Sequence, residues 1–107
     1  MKKLHGKNCV ITGAASGIGR SLAIGLAKEG MNLFISDIHM ERLESVKKEI
    51  EALGNKVFMT KCDVTKYEDF VKLADLVNDQ LGEIDMLINN AGIGSGAYAE
   101  TMELEDW

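Results

Sequence analysis

The chain has 107 residues, which is enough for one domain or part of one, and its 46% hydrophobic and 27% charged residues are ordinary for a globular protein. A formal net charge of −5 argues against nucleic acid or an anionic membrane as the main partner. No apolar run has the length of a signal-peptide core or a transmembrane span, so we expect a soluble, cytoplasmic protein. The two cysteines, Cys9 and Cys62, lack the ligand spacing of a metal site, and we expect both to be reduced thiols in the core.

Hydrophobic patterning predicts strands that alternate with helices. The predicted strands span residues 8–12, 32–36, 56–61 and 86–89. The predicted helices begin at 16 or 17 and run to 29, then span 40–53 and 65–81, and each is followed by a glycine. Thr65 and Glu68 have the spacing of a capping box, and a further helix is predicted to begin at 103.

This β-α-β-α-β-α-β order predicts a parallel sheet with right-handed crossovers. Polar or glycine-rich positions come directly after each of the four strands: the turn from Gly13, Asp37, Asp63 and Asn90. Because the carboxyl ends of parallel strands meet at one edge of a sheet, these positions are expected to lie together, and nucleotides bind such sheets at that edge.

A glycine-rich turn lies between the first strand and the first helix. Residues 10–20 read VITGAASGIGR, with glycines at 13, 17 and 19. A strand that leads through glycines into a helix is typical of phosphate binding, because the helix N-terminus presents unpaired N–H groups and the glycines allow close backbone approach. The spacing differs from both Gly-x-Gly-x-x-Gly and the P-loop, so a turn without a ligand is the alternative interpretation.

An acidic residue, Asp37, follows the second strand. A carboxylate at this position accepts hydrogen bonds from a ribose 2′-hydroxyl and repels a 2′-phosphate. No Arg or Lys stands within the glycine turn or directly after Asp37, so NAD is favoured over NADP. The alternative is that Asp37 only caps the following helix.

Two further positions follow the third and fourth strands. Because Thr65 explains the third helix cap, Asp63 is left to accept a hydrogen bond from an amine such as that of adenine, with a solvated loop aspartate as the alternative. The stretch Asn89-Asn90-Ala91-Gly92 supplies amide side chains followed by small residues that allow close ligand approach, and an ordinary turn is its alternative.

Taken together, these motifs resemble the short-chain dehydrogenase/reductase family in its classical form. The Leu4-x-Gly6-Lys7 start and the Glu105-Asp106-Trp107 end are also similar to that family, so the likeness covers the whole chain. It implies an α/β, Rossmann-type doubly wound parallel sheet of strand order 3-2-1-4, forming one incomplete NAD(P)-binding domain over residues 1–107. It further implies an oxidoreductase that transfers hydride between the nicotinamide cofactor and an alcohol or carbonyl substrate, and that forms homo-oligomers when complete.

The resemblance carries cofactor-binding roles to the positions that match the family's motifs. Those expected to hold the pyrophosphate and approach the nicotinamide are Gly13, Ser16, Gly17, Ile18 and Gly19. Those expected around the adenosine are Asp37 at the ribose, Asp63 and Val64 at the adenine, and Asn90, Ala91 and Gly92 on the same side. Ile38 is a further expected cofactor-binding residue. Thr12 is expected to tie the first strand to the fourth.

The family's catalytic serine, tyrosine and lysine have no counterpart here. The tyrosines are Tyr67 and Tyr98, and the residues four positions later are Val71 and Met102 rather than lysine. The chain therefore resembles the cofactor-binding half of such an enzyme, and we expect it to be inactive alone and to leave an exposed edge on the fourth strand. A non-catalytic NAD-binding module is the alternative, and a methyltransferase is disfavoured by the glycine spacing.

Overall fold

Strands and helices alternate in a single sheet-based fold, seen in a computed structural model that describes residues 4–90 and the backbone of 101–102. The strands are β1 (Asn8–Thr12), β2 (Asn32–Asp37), β3 (Val57–Lys61), β4 (Met86–Asn89) and β5 (Thr101–Met102). The helices are α1 (Gly17–Lys28), α2 (Met40–Ala52) and α3 (Tyr67–Gln80). The predicted element types are confirmed for the strands β1–β4 and for the three helices, and each predicted bound lies within two residues of the observed one.

The sheet has the strand order β3-β2-β1-β4-β5, and its first four strands are parallel. The predicted order 3-2-1-4 is therefore confirmed. The register places Thr12 opposite both Ser36 and Asn89, and it places Asp37 opposite Lys61. These pairs bring the carboxyl ends of the four strands to a common edge, as the nucleotide-binding hypothesis requires.

Two apolar cores cover the two faces of the sheet. Along a strand successive side chains point to opposite faces. Ile11 and Ile35 accordingly join the core that includes residues of α1 and α2, and Val10 and Phe34 join the core that includes residues of α3. This double burial explains why β1 and β2 are continuous apolar runs rather than alternating ones.

Both cysteines are buried free thiols, as predicted. Burial raises the pKa of the Cys9 thiol to about 12, so this group stays protonated in the folded chain.

The predicted capping box at the third helix is wrong. The helix begins at Tyr67, its N-cap residue is Lys66, and no side chain caps it. The Thr65 hydroxyl instead donates to Asp63 Oδ1 at 2.6 Å. The Thr65 hydroxyl therefore bonds to a nearby aspartate in a local turn instead of to the helix N-terminus. Threonine side chains commonly form either kind of hydrogen bond, and the two compete.

The prediction that β4 leaves an exposed edge is also wrong for its two central apolar residues. Strand β5 pairs with it antiparallel, with Leu87 opposite Met102 and Ile88 opposite Thr101. Unpaired backbone groups on an edge strand favour the addition of such a partner. The helix predicted from residue 103 lies outside the described residues. Within the described part, none of the helices is long and apolar enough to cross a membrane.

Candidate functional site

A cleft of about 460 Å³ opens at the carboxyl edge of the sheet. It is lined by residues from the glycine turn and from the ends of β2, β3 and β4: Gly13, Ser16, Asp37, Ile38, His39, Cys62, Asp63, Val64, Thr65 and Asn90. Its volume lies within the range of small-molecule sites. Gly13 and Asn90, which lie 77 positions apart in the chain, are thus brought to one place, as the parallel-sheet argument predicted.

The N-terminus of α1 leaves its positive end uncompensated. Ser16 is the N-cap residue, yet its side chain makes no capping hydrogen bond, and no acidic residue lies in the first turn. By contrast, α2 carries Glu41 in its first turn, and α3 carries Glu68 and Asp69. The backbone N–H groups and dipole of α1 are therefore open to an anionic group at the edge of the cleft.

Two glycines shape the start of α1 for different reasons. Gly17 has φ +58°, in the left-handed region that favours glycine. Gly19 is buried, and a Cβ there would collide with the carbonyl oxygen of Gly13 and would come 2.8 Å from Asn90 Nδ2. Asn90 Nδ2 also donates to the Gly13 carbonyl at 3.1 Å. The turn, the helix and the end of β4 therefore pack together at a point where only glycine fits.

The expected tie between the first and fourth strands is present. Thr12 is fully buried, and its hydroxyl donates to Asn89 Oδ1 at 2.8 Å. Ser36, directly opposite Thr12 on β2, is also buried, but its Oγ has no hydrogen-bond partner in the described part of the chain. Of these neighbouring polar side chains at the strand ends, Thr12 and Asn89 bond to each other, whereas the Ser36 hydroxyl has no protein partner among the described residues.

Asp37 is held in place by two backbone donors. Its Oδ2 accepts the N–H of Ala15 and its Oδ1 accepts the N–H of His39, each at 3.0 Å. The N-cap residue of α2 is His39, so Asp37 is not the helix cap that was the alternative interpretation. A carboxylate has about four acceptor positions, so each oxygen retains capacity for a hydroxyl donor in the cleft.

Asp63 is less available than expected. Its Oδ1 accepts both the N–H of Thr65 at 3.0 Å and the Thr65 hydroxyl. These two hydrogen bonds, the hydroxyl first, together with the charge of Lys66, lower the pKa of the Asp63 carboxyl. The expectation that Thr65 leaves this carboxylate unengaged is therefore wrong, although Asp63 does line the cleft.

The structure adds lining residues that sequence reasoning missed, namely His39, Cys62 and Thr65. Adjacency to Asp37 and Asp63 was the available signal for all three. Burial, followed by the charges of Asp69 and Asp63, raises the pKa of the Cys62 thiol, so Cys62 is suited to packing rather than to nucleophilic chemistry.

Some predicted site residues do not line the cleft. They are Thr12, Gly17, Ile18 and Gly19. Ile18 nevertheless leaves 49% of its surface exposed in the first turn of α1. Ala91 and Gly92 lie outside the described residues.

A larger open cavity of about 940 Å³ lies at the opposite edge of the sheet, and it contains none of the predicted site residues. Cavity size alone therefore does not identify the site. The polar groups that converge on the smaller cleft identify it. Over residues 4–90 and 101–102, no three His, Cys, Asp or Glu side chains are grouped so that they could hold a metal ion.

The family model described as short chain dehydrogenase matches residues 7–107. The chain belongs to the short-chain dehydrogenase family. It is 39% identical over 105 residues to the 7α-hydroxysteroid dehydrogenase of Escherichia coli (strain K12), an alignment that covers 98% of this chain and 41% of that protein. The chain therefore spans well under half the length of this curated relative.

Two solved structures show the same fold. A short-chain dehydrogenase/reductase from Burkholderia phymatum in complex with NAD superposes with a TM-score of 0.82 at 36% identity, covering 88% of this chain and 34% of that one. An alcohol dehydrogenase from Thermococcus sibiricus complexed with 5-hydroxy-NADP gives 0.79 at 36% identity, covering 82% and 38%. These two similar folds thus hold NAD in one case and 5-hydroxy-NADP in the other.

Proposed function

We propose that this chain is the NAD-binding part of an oxidoreductase that transfers hydride between the nicotinamide cofactor and an alcohol or carbonyl substrate. The observation that carries the proposal is the uncompensated N-terminus of α1, which opens beside a cleft that also contains a fixed carboxylate, Asp37. A dinucleotide needs both features, since its pyrophosphate is anionic and its ribose supplies hydroxyl donors.

The glycine turn is proposed to hold the pyrophosphate. Gly13, Ser16 and the N–H groups at the start of α1 are the contacts, and Gly17 and Gly19 keep the turn free of side chains. Ile18 is a large apolar residue left half exposed beside this turn. Contact with the cofactor accounts for that exposure.

The remaining proposed contacts are with the ribose and the adenine of the adenosine. Asp37 and Ile38 lie at the ribose, Asp63 and Val64 lie at the adenine, and all four line the cleft. Asn90 also lines the cleft and is held by its hydrogen bond to Gly13, while Ala91 and Gly92 stay predictions. NAD is proposed over NADP because Asp37 lines the cleft and is held there by two N–H donors, and a carboxylate at this position would repel a 2′-phosphate.

No catalytic residue is proposed within this chain, and alone it is proposed to be inactive. The names of its relatives favour an enzyme over a non-catalytic NAD-binding module, since the proteins named above are dehydrogenases or reductases. A single domain over residues 1–107, a cytoplasmic location and homo-oligomers of the complete enzyme stay predictions.

The proposal is tested by titrating the chain with NAD and with NADP and measuring the binding by calorimetry. Saturable NAD binding is expected, and Asp37→Ala should weaken it by about tenfold or more, because hydrogen bonds to a charged acceptor are worth roughly 1.5–3 kcal/mol. The loss for NADP should be smaller, since the same substitution removes a repulsion.

The matched control is Asp79→Ala, which removes an exposed carboxylate of α3 away from the cleft and should change neither affinity. Equal losses for the two cofactors in Asp37→Ala would refute the proposed role of Asp37. Absence of saturable NAD binding would refute the proposed function.

A further inference from the structure

A lysine lies beside the proposed ribose carboxylate on the neighbouring strand. Lys61 of β3 is the register partner of Asp37 of β2, and laterally paired residues point to the same face of a sheet whose strands are about 4.8 Å apart. The N–H of Cys62 donates to the Asp37 carbonyl at 3.1 Å, which fixes the two strand ends against each other. The position of Lys61 is therefore set by the sheet rather than by a loop.

Lys61 also lies at the start of a second groove. This groove, of about 760 Å³, shares Ile38, His39 and Asp63 with the cleft and continues from it past the end of β3. Its charged and titratable lining consists of His39, Lys61, Lys66 and Lys72 against Asp63 and Asp69. Basic groups are thus concentrated here, although the chain as a whole has a net charge of −5.

Both carboxylates of the groove accept hydrogen bonds from nearby residues of the same segment. Asp63 Oδ1 accepts from Thr65, and Asp69 Oδ2 accepts the N–H of Asp63 at 3.0 Å. Neither Arg20–Glu49 nor Lys47–Glu51, the ion pairs found among residues 4–90, involves a lysine of the groove. The exposed Lys61 ammonium therefore has no ion pair among these residues, and it lies on a flexible stem in the groove that adjoins the cleft.

We infer that Lys61 is a specificity-determining residue for the cofactor, which reduces the discrimination that Asp37 imposes against a 2′-phosphate. The inference rests on the proposed function. A 2′-phosphate carries a charge of roughly −1.5 to −2, so Asp37 repels it, while an ammonium on the adjacent strand attracts it. NAD has no such group, and Lys61 contributes little to its binding. The chain therefore binds both cofactors, NAD more tightly.

The ratio of the NADP Kd to the NAD Kd tests the inference, measured by calorimetry on the 107-residue chain. Lys61→Gln should raise this ratio about fivefold by weakening NADP alone, the size expected when one exposed charge interaction is lost. Lys61→Arg keeps the charge and should keep the ratio. Lys56→Gln removes an exposed lysine just before the other end of the same strand and should also leave it unchanged. High salt should shrink the effect of Lys61→Gln, because screening weakens exposed charges.

Each other result overturns the inference. A ratio within about twofold of the original in Lys61→Gln, or equal weakening of both cofactors, shows that Lys61 does not select between them. Measurable NAD binding without any NADP binding shows that Lys61 does not offset Asp37. These results leave the proposed function standing, whereas absence of NAD binding to the unaltered chain removes both.

Discussion

The two edges of the sheet use polar side chains in opposite ways. At the amino edge, asparagine amides satisfy backbone carbonyls: Asn55 Nδ2 donates to Ala27 and Met31, each at 2.8 Å, and Asn8 Nδ2 donates to Glu83 at 2.8 Å. At the carboxyl edge, Asp37 retains acceptor capacity, and the α1 N-terminus has neither a side-chain cap nor an acidic residue in its first turn.

This difference separates scaffold from site, although both edges contain a cavity and a set of loops. At the amino edge the asparagine side chains tie separate segments together, and their N–H donors are used up in these bonds. At the carboxyl edge the hydrogen bonds that do form, such as Asn90 to Gly13, hold the groups around the cleft in place. A binding site needs this kind of rigid support with spare hydrogen-bonding capacity.

The largest expected effect is at Gly19. In Gly19→Ala the new Cβ meets the Gly13 carbonyl, which is backbone and cannot swing away, so the free energy of unfolding should fall by about 1–3 kcal/mol or more. NAD binding should fall with it, because the turn must shift. Urea denaturation and calorimetry measure the two losses.

Gly25→Ala in the same helix is the matched control. A Cβ there meets nothing within 4 Å, so the substitution should stabilise the chain by up to about 1 kcal/mol through helix propensity. Similar behaviour of the two variants would show that the crowding at Gly19 is not what requires glycine there.

The next effect contrasts one asparagine from each edge. Asn55→Ala leaves the Ala27 and Met31 carbonyls without that donor, and it should lower the free energy of unfolding by about 2 kcal/mol without changing the NAD affinity. Asn90→Ala should cost about 1 kcal/mol or less in stability but weaken NAD several-fold, because the turn loses its support. If Asn55→Ala weakens NAD as much as Asn90→Ala, the division between scaffold and site fails.

The smallest effect is expected at Ser36. Because its buried Oγ has no partner among the residues described, Ser36→Ala should leave the free energy of unfolding unchanged or raise it by up to about 1 kcal/mol. Thr12→Val, one strand away, should instead destabilise by roughly 1–3 kcal/mol, because it leaves the Asn89 amide oxygen without its donor. A clear loss of stability in Ser36→Ala would mean that its hydroxyl is satisfied in solution.

Much of the fold was predictable because it depends on local patterns. The apolar runs of β1 and β2 and the helical stripes of α1 and α2 appear within short windows of the chain. The sheet order followed from the family resemblance. The start of α3 was not predictable in this way, because Thr65 had two possible local partners, and only the folded loop showed that Asp63 had captured it.

In the candidate site, too, some features follow from neighbouring residues and others from contacts between distant segments. The sequence by itself determined the strand–turn–helix chemistry, the glycine positions and the acidic residue after β2, since each is a property of neighbouring residues. Tertiary structure alone decided that the Ala15 N–H holds Asp37, that Asn90 reaches Gly13, and that Lys61 lies beside Asp37. Those contacts join segments far apart in the chain, and the register of the sheet and the packing of α1 determine which of them meet.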